Sequence, residues 1–326
     1  MQSSIKLINH ASVKFEFDKV KILTDPWYEG SVFHKGWKLI HQQTADEIVN
    51  SIIDVTHIYI SHEHPDHFSP NFFLNDEIKK ILQKNNVKIL FQETKDKRVL
   101  NFLKKKGYEV IEISNNEFFN INESIKIKII KFGYIDSSLI IVTKDTKILN
   151  LNDCPLNKIK EIEKFKKEHG EFDVLLSQFS YAAWKGGKEN SNYRKIAAKE
   201  KISTLINQYK ILKCKYVIPF ASFIYFSNKL NNYMNDHINE PKKLYEDIKD
   251  EVKVIIMSPN EQQDLSNLKQ KFSSLNFWHE KYKKINNLPL DQFTNTINFD
   301  VLNKEYEAYK KNIYNLNSKM MIYIAS

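Results

Sequence analysis

Residues 55–68 read VTHIYISHEHPDHF, and the segment SHEHPDHFSP at 61–70 decides how the rest of the chain is understood. Positions 57–61 form a short apolar run that predicts a buried strand, and a cluster of polar side chains replaces it without transition. Functional groups are commonly carried on loops at strand ends. Here His62, His64, Asp66 and His67 place four metal-ligating side chains within six positions. On an extended turn His62 and His64 point the same way, while the turn at Pro65 carries Asp66 and His67 round to a second direction. One short loop can therefore serve two neighbouring metal sites. Three histidines flanking an aspartate have no packing rationale, and Asp66 doubles as the candidate catalytic carboxylate, orienting a water or accepting its proton.

Working outward, residues 5–24 alternate as IKLINHASVKFEF, a turn at Asp18 and Lys19, then VKILTD, which predicts an opening β-hairpin. A helix is expected near 44–53. Beyond the histidine loop come a lysine-rich helix (76–84), the strand VKILFQ, a helix (95–107) and the strand YEVIEI. Two β-rich runs fill 125–152, followed by a strand at 173–177, a long helix at about 193–212 and a strand at 215–220. Strands followed by βα units, twice over, predict an α/β fold of the αββα sandwich type, two mixed sheets covered by helices. Residues 1–258 are expected to form the catalytic domain. Residues 259–326, polar and rich in Asn and Lys with aromatic spots, are expected to form a helical C-terminal extension that supplies no metal ligand.

At 326 residues, with 42% hydrophobic and 13% aromatic content, the chain can bury a sizeable core. No apolar run approaches the roughly 18 residues that cross a bilayer, and no N-terminal signal-like segment precedes the hairpin, so a soluble cytoplasmic protein without membrane attachment is expected. The two cysteines, Cys154 and Cys214, exclude a disulfide framework and a cysteine-built zinc or iron–sulfur motif. Any metal must then be held by His and carboxylates. The formal charge of +9 comes from lysines scattered along the chain, a solvated basic surface rather than a nucleic-acid stripe, and leaves a small anionic substrate as the expected partner.

A second carboxylate, Asp153, follows the strand-like segment KILNLNDC and can bridge two cations or complete one. The motif HxHxDH after a hydrophobic strand resembles the signature of the metallo-β-lactamase superfamily. The segments LINHASVKFEF (7–17), LTDPWYEGSVFHKGW (23–37), IYISHEHPDHFS (58–69), DSSLIIVTKDTKILNLNDC (136–154), DVLLSQFSYAAW (173–184) and VIPFASFIYF (217–226) fall in an order and spacing similar to the catalytic domain of the CMP-N-acetylneuraminate hydroxylases. The resemblance runs from about residue 5 to about residue 250.

That resemblance implies an iron-dependent monooxygenase acting on a nucleotide sugar and fed electrons by a Rieske cluster. This sequence lacks the paired Cys and His ligands of such a cluster, so a separate Rieske or ferredoxin-type protein would have to supply the electrons. The superfamily also supplies a His between the HxHxDH loop and the bridging Asp and another near the late strand. Here no His lies between His67 and His169, Phe132 or its neighbours stand where the hydroxylases offer one, and the late strand reads PFASF. Three His and two Asp then stand against the family's five and two. One firmly held ion with a weak second position is the expectation, with His237 as a replacement ligand.

The resemblance further places His10 and Asp25, at the ends of the first two strands, on the site floor. With Trp37 as a wall and Gln178 and Asn228 as polar groups near strand ends, they make up the candidate substrate-binding set. Imidazole and carboxylate suit both zinc and iron, so one or two divalent ions of either kind fit. The chemistry therefore stays open between a hydrolase acting on an anionic small molecule, such as a nucleotide sugar or a sugar phosphate ester or lactone, and a non-haem iron oxygenase. A degenerate metal-binding scaffold is a third reading.

Overall fold

The computed structural model describes residues 3–293 and 296–316. Strands β1 (Ser3–Asn9), β2 (Ser12–Phe17) and β3 (Val20–Thr24) form an antiparallel meander. After the short strands β4 (Ser31–Val32) and β5 (Trp37–Leu39) comes helix α1 (Ala45–Ile52), started by a capping box in which Thr44 and Glu47 satisfy each other's backbone N–H. Strand β6 (His57–Ile60), helices α2 (Pro70–Leu74) and α3 (Asp76–Lys84), strand β7 (Lys88–Gln92), helix α4 (Arg98–Lys105) and strand β8 (Glu109–Ile113) then add parallel strands to β3.

The second half repeats the scheme. Strands β9 (Phe118–Asn120), β10 (Lys126–Phe132), β11 (Asp136–Val142) and β12 (Lys147–Asn152) are antiparallel. Helix α5 (Ile159–His169), strand β13 (Val174–Gln178), helix α6 (Ser191–Ile211) and strand β14 (Tyr216–Phe220) extend them in parallel. Strand β15 (Ile224–Phe226) pairs with β5, helix α7 (Pro241–Ile248) follows, and β16 (Gln262–Asp264) returns to the free edge of β1. Helices α8 (Phe272–Tyr282) and α9 (Phe299–Leu316) close the described chain.

Two sheets, of order β16-β1-β2-β3-β6-β7-β8 and β14-β13-β12-β11-β10-β9, face each other as the expected αββα sandwich. Alternation along the strands shows why. Ile22, Tyr59 and Leu90 join residues of the second sheet in one core, whereas their neighbours Leu23, Ile58, Ile60, Ile89 and Phe91 join α1, α3 and α4 in another. Each central strand of the first sheet thus buries one face against the opposing sheet and the other against helices. Burial on this scale, at roughly 25 cal/mol per Å² of apolar surface, dominates the stability of the sandwich. Among the described residues no helix is long and apolar enough to cross a membrane.

The expected boundary at 258/259 requires correction. The first compact unit spans Met1–Leu290, because β16 pairs with β1 and the fully buried Trp278 of α8 stacks on Phe223 at 4.0 Å. Part of the stretch assigned to an external helical extension is therefore sheet edge and core. The second unit, Asp291–Ser326, carries the 18-residue α9, whose Phe299, Leu302, Tyr306 and Tyr309 are exposed.

Candidate metal centre

The carboxyl ends of β1, β3, β6, β12 and β13 converge at one rim of the sandwich, the end at which open α/β sheets bind ligands. Three residues there hold positive φ without being glycine: His10 at 37°, Asp25 at 37° and Asn152 at 44°. The left-handed region costs residues other than glycine free energy, and such strain gathers at functional sites. His10 turns the chain from β1 into β2, Asp25 follows β3, and Asn152 ends β12 immediately before Asp153.

Two ligand groups result, each with its ligand atoms within 4.8 Å of one another: His10, Asp66 and His67, and His62, His64 and Asp153. In the first, Asp66 Oδ2 lies 3.3 Å from His10 Nε2 and 3.5 Å from His67 Nε2. Asp153 faces both groups, with Oδ2 3.6 Å from His67 Nε2 and Oδ1 3.9 Å from His62 Nε2. His62 Nε2 and His64 Nδ1 meet at 2.8 Å. Ligand atoms sharing a tetrahedral cation at bond lengths near 2.1 Å stand roughly 3.4 Å apart, which the two distances to Asp66 Oδ2 match. The buried atoms His67 Nε2 and Asp153 Oδ1 have no hydrogen-bond partner, as donors meant for a cation should not, and Asp66 Oδ1, on the far side of its carboxylate from His10 and His67, has none either.

A buried carboxylate holds this arrangement from behind. Asp25 Oδ1 accepts from the Ser61 N–H at 2.7 Å, and its Oδ2 accepts from the Ser61 hydroxyl at 2.7 Å and faces His67 Nδ1 at 2.9 Å. Such a partner fixes the imidazole's orientation and tautomer and leaves Nε2 for a metal. Burial lowers the pKa of His67, but Asp153, Asp66 and Asp25 more than offset this and raise it to about 10. The field at this imidazole therefore favours positive charge. His62, by contrast, is lowered to about 3 by burial and by His67, and stays neutral. Asp66 is held below the ordinary carboxylate range: burial opposes ionisation, but His67, His10 and His62 favour it more strongly.

Several sequence assignments change. His10 belongs to a ligand group and supplies an imidazole the sequence count lacked. Asp25 positions His67 and Ser61 from behind and is absent from the cavity wall. His237 belongs to neither ligand group; its Nε2 lies 2.8 Å from Ser191 Oγ. Asn228 shapes the turn at 228–231 through Leu230 and Asn231, and Asn231 lines the cavity in its place. Asp136, unremarked in the sequence, starts β11 with Oδ1 3.7 Å from His62 Nε2; burial and Asp153 push its pKa up to about 6. Lys201 of α6, which its sequence context does not single out, also reaches the cavity.

A cavity of about 490 Å³ opens onto the centre, reaching His64, Asp66 and Asp153. Trp37 and Gln178 line it as expected, together with Phe33, Trp184 and Lys201. Phe33 packs 4.3 Å from Trp37 and 5.9 Å from the His64 ring. The aromatic wall stands on an unusual turn in which Phe33, His34 and Lys35 all have φ between 50° and 63°. Gly36 closes it with its N–H on Val32 O, and a Cβ there would meet Phe33 O at 2.8 Å. Ser227 and Asn231 donate to the Gly36 carbonyl from outside. The buried Arg194 of α6 donates to Gly187 O and Lys188 O and pairs with Asp236 at 2.8 Å.

A family model described as "Beta-lactamase superfamily domain" matches residues 4–189. The cytidine monophosphate-N-acetylneuraminic acid hydroxylase of Danio rerio is 25% identical over 263 residues, covering 74% of this chain and 42% of the relative. The chain thus spans less than half the length of that curated relative. Among solved structures, Igni18, a metallo hydrolase from Ignicoccus hospitalis, superposes with a TM-score of 0.56 at 16% identity, covering 81% of this chain and 98% of its own. CmlA, a diiron beta-hydroxylase from Streptomyces venezuelae, gives 0.52 at 14% identity over 81% and 54%. At such identities the structures establish the fold alone, but with more than half of the sequence matched by the family model and the ligand groups in place, the chain belongs to the beta-lactamase superfamily as a metallo-β-lactamase-fold, metal-binding protein.

Proposed function

We propose that the chain is a dinuclear metal-dependent hydrolase acting on an anionic small molecule, such as a nucleotide sugar or a sugar phosphate ester or lactone. The observation that supports it is Asp153, whose two oxygens face two separate ligand groups at the mouth of a substrate-sized cavity. His10, Asp66 and His67 would hold one cation, His62, His64 and Asp153 the other, with Asp153 between them. Divalent cations held there would lower the pKa of a coordinated water toward neutrality and polarise a substrate oxygen. Asp66 stays ionised, so its unpartnered Oδ1 accepts a hydrogen bond and orients the attacking water. Asp25 and Ser61 keep His67 aligned, and the Phe33 and Trp37 wall excludes bulk solvent from one side.

A second reading, an iron oxygenase receiving electrons from a separate Rieske or ferredoxin-type protein, draws on a different observation. Each group consists of two His and one carboxylate, the donor set of non-haem iron oxygenases. The hydroxylase relatives point the same way. The deciding experiment is to purify the chain without added metal, quantify zinc and iron, and assay a panel of phosphodiesters and lactones beside oxygen uptake with a chemical reductant. Bound zinc with hydrolysis is expected. Bound iron with reductant-dependent oxygen uptake and no hydrolysis overturns the hydrolase.

A further inference from the structure

Lys201 projects from α6 into the same cavity as Asp153 and Gln178 and donates to the Gln178 amide oxygen. Its side chain is partly buried, and this desolvation lowers its pKa, opposed by the nearby Asp153 charge. Among the described residues it makes no ion pair. A desolvated ammonium satisfied only by a neutral amide is costly unless a negative partner arrives. Four carboxylates, Asp25, Asp66, Asp136 and Asp153, surround the imidazoles, and two divalent cations would match their charge. Lys201 and Lys185 then give the cavity its sign. Across the cavity the lining is aromatic: Phe33 against Trp37, Trp37 edge-on to Phe226 at 6.2 Å, and Trp184, 70% exposed at the rim.

We propose that this cavity binds an oxyanion carried on a planar ring, Lys201 pairing with the oxyanion and the Phe33 and Trp37 face receiving the ring. The oxyanion is a carboxylate or a phosphate, chemistries one ammonium serves alike. The inference deepens the hydrolase reading above by naming the substrate class, and its charge argument rests on the two cations of that reading. A ring on an aromatic wall gains stacking energy beyond its buried area, and a charge-assisted hydrogen bond from a partly desolvated ammonium is stronger than a neutral one.

The test is equilibrium binding to the full chain with zinc added, followed by tryptophan fluorescence and calorimetry, using four probes: benzoate and phenyl phosphate, with acetate and inorganic phosphate as their ringless counterparts. One ring-bearing probe is expected to bind at least ten times more tightly than its counterpart, and which one does so identifies the oxyanion. Lys201→Met should weaken that binding at least tenfold with unchanged metal content, and Lys201→Arg should restore it to within about threefold. Should Lys201→Met fail to fold, Gln178→Glu, which sets an internal carboxylate against the ammonium, should produce the same loss. Equal binding by wild type and variant, no preference for the ring, or no binding of either ring-bearing probe overturns the inference. Because the readout is binding, a chain that holds the ring oxyanion through Lys201 but hydrolyses nothing overturns only the hydrolase reading. Hydrolysis that persists with an unimpaired Lys201→Met variant overturns only this one.

Discussion

His10, Asp66 and His67 are buried, whereas in the neighbouring group only His62 is, and His64 and Asp153 are partly open to the cavity. The two groups both draw on a six-residue loop, and Asp153 faces both, so local sequence hardly separates them. What separates them is support: His67 rests on Asp25, which is itself locked by two hydrogen bonds from Ser61, while His64 meets His62 and the ring of Phe33. The buried group is therefore preorganised. The open group presents His64 and Asp153 to the cavity, where ligand exchange can occur, against Asp66 alone from the buried group.

The strongest way to break this contrast is His67→Ala. It removes the imidazole that touches both Asp66 and Asp153, and should lower activity on the order of a thousandfold and remove at least one metal equivalent. The fold should persist, since a rim ligand fills little of the core. Retention of both metals by elemental analysis would show that the groups are misassigned. Removing the support instead of the ligand gives a milder effect: Asp25→Ala should weaken metal affinity of the buried group about 10- to 100-fold, measured by competition with a chelator.

A third expectation concerns rates. Chelation of metal-loaded protein should be biphasic, the open group emptying first, and His64→Ala should abolish the fast phase alone; a single phase would mean that the groups are equivalent.

The smallest effect lies in Asp136→Asn. A carboxyl whose pKa is raised on folding, here to about 6 from an ordinary 3.8, contributes stability below its unfolded pKa that is lost as pH rises through the folded one. With its side chain 22% exposed, the loss at neutral pH amounts to about 1–2 kcal/mol after allowance for solvent screening. The variant should therefore stabilise the metal-free chain to urea at pH 7 and not at pH 4, while loosening the cation of the open group. Unchanged stability at pH 7 would remove the strain assigned to Asp136.

Much of this architecture was legible in one dimension. Alternating apolar residues and the abrupt polarity at Ser61 located the strands, the loop and four members of the two candidate ligand groups, because strand ends and residue spacing are local properties. His10 was legible as a residue of interest but not as a ligand. It reaches Asp66 across 56 positions only because β1, β2, β3 and β6 lie side by side. Asp136 looks like an ordinary turn residue, and Lys201 sits in KEK, where nothing distinguishes it from solvated lysines. The three-residue strand β16, QQD, carries no β signal; its state is decided by the open edge of β1. His237, named to fill a shortfall of two imidazoles, lies in neither ligand group, and His10 answers for one of the two.

The turn at Phe33, His34 and Lys35 offers a handle for thermostabilisation. Left-handed backbone costs about 1–2 kcal/mol per residue other than glycine, and both His34 and Lys35 point their side chains to solvent. Glycine at these two positions would release most of that strain, less about 0.5–1 kcal/mol each for the freer unfolded chain. Melting should then rise by a few degrees without altering any ligand. The accompanying slackness would fall on Phe33, so the same two substitutions measure how far a stiff aromatic wall, rather than a stable one, governs what the cavity admits.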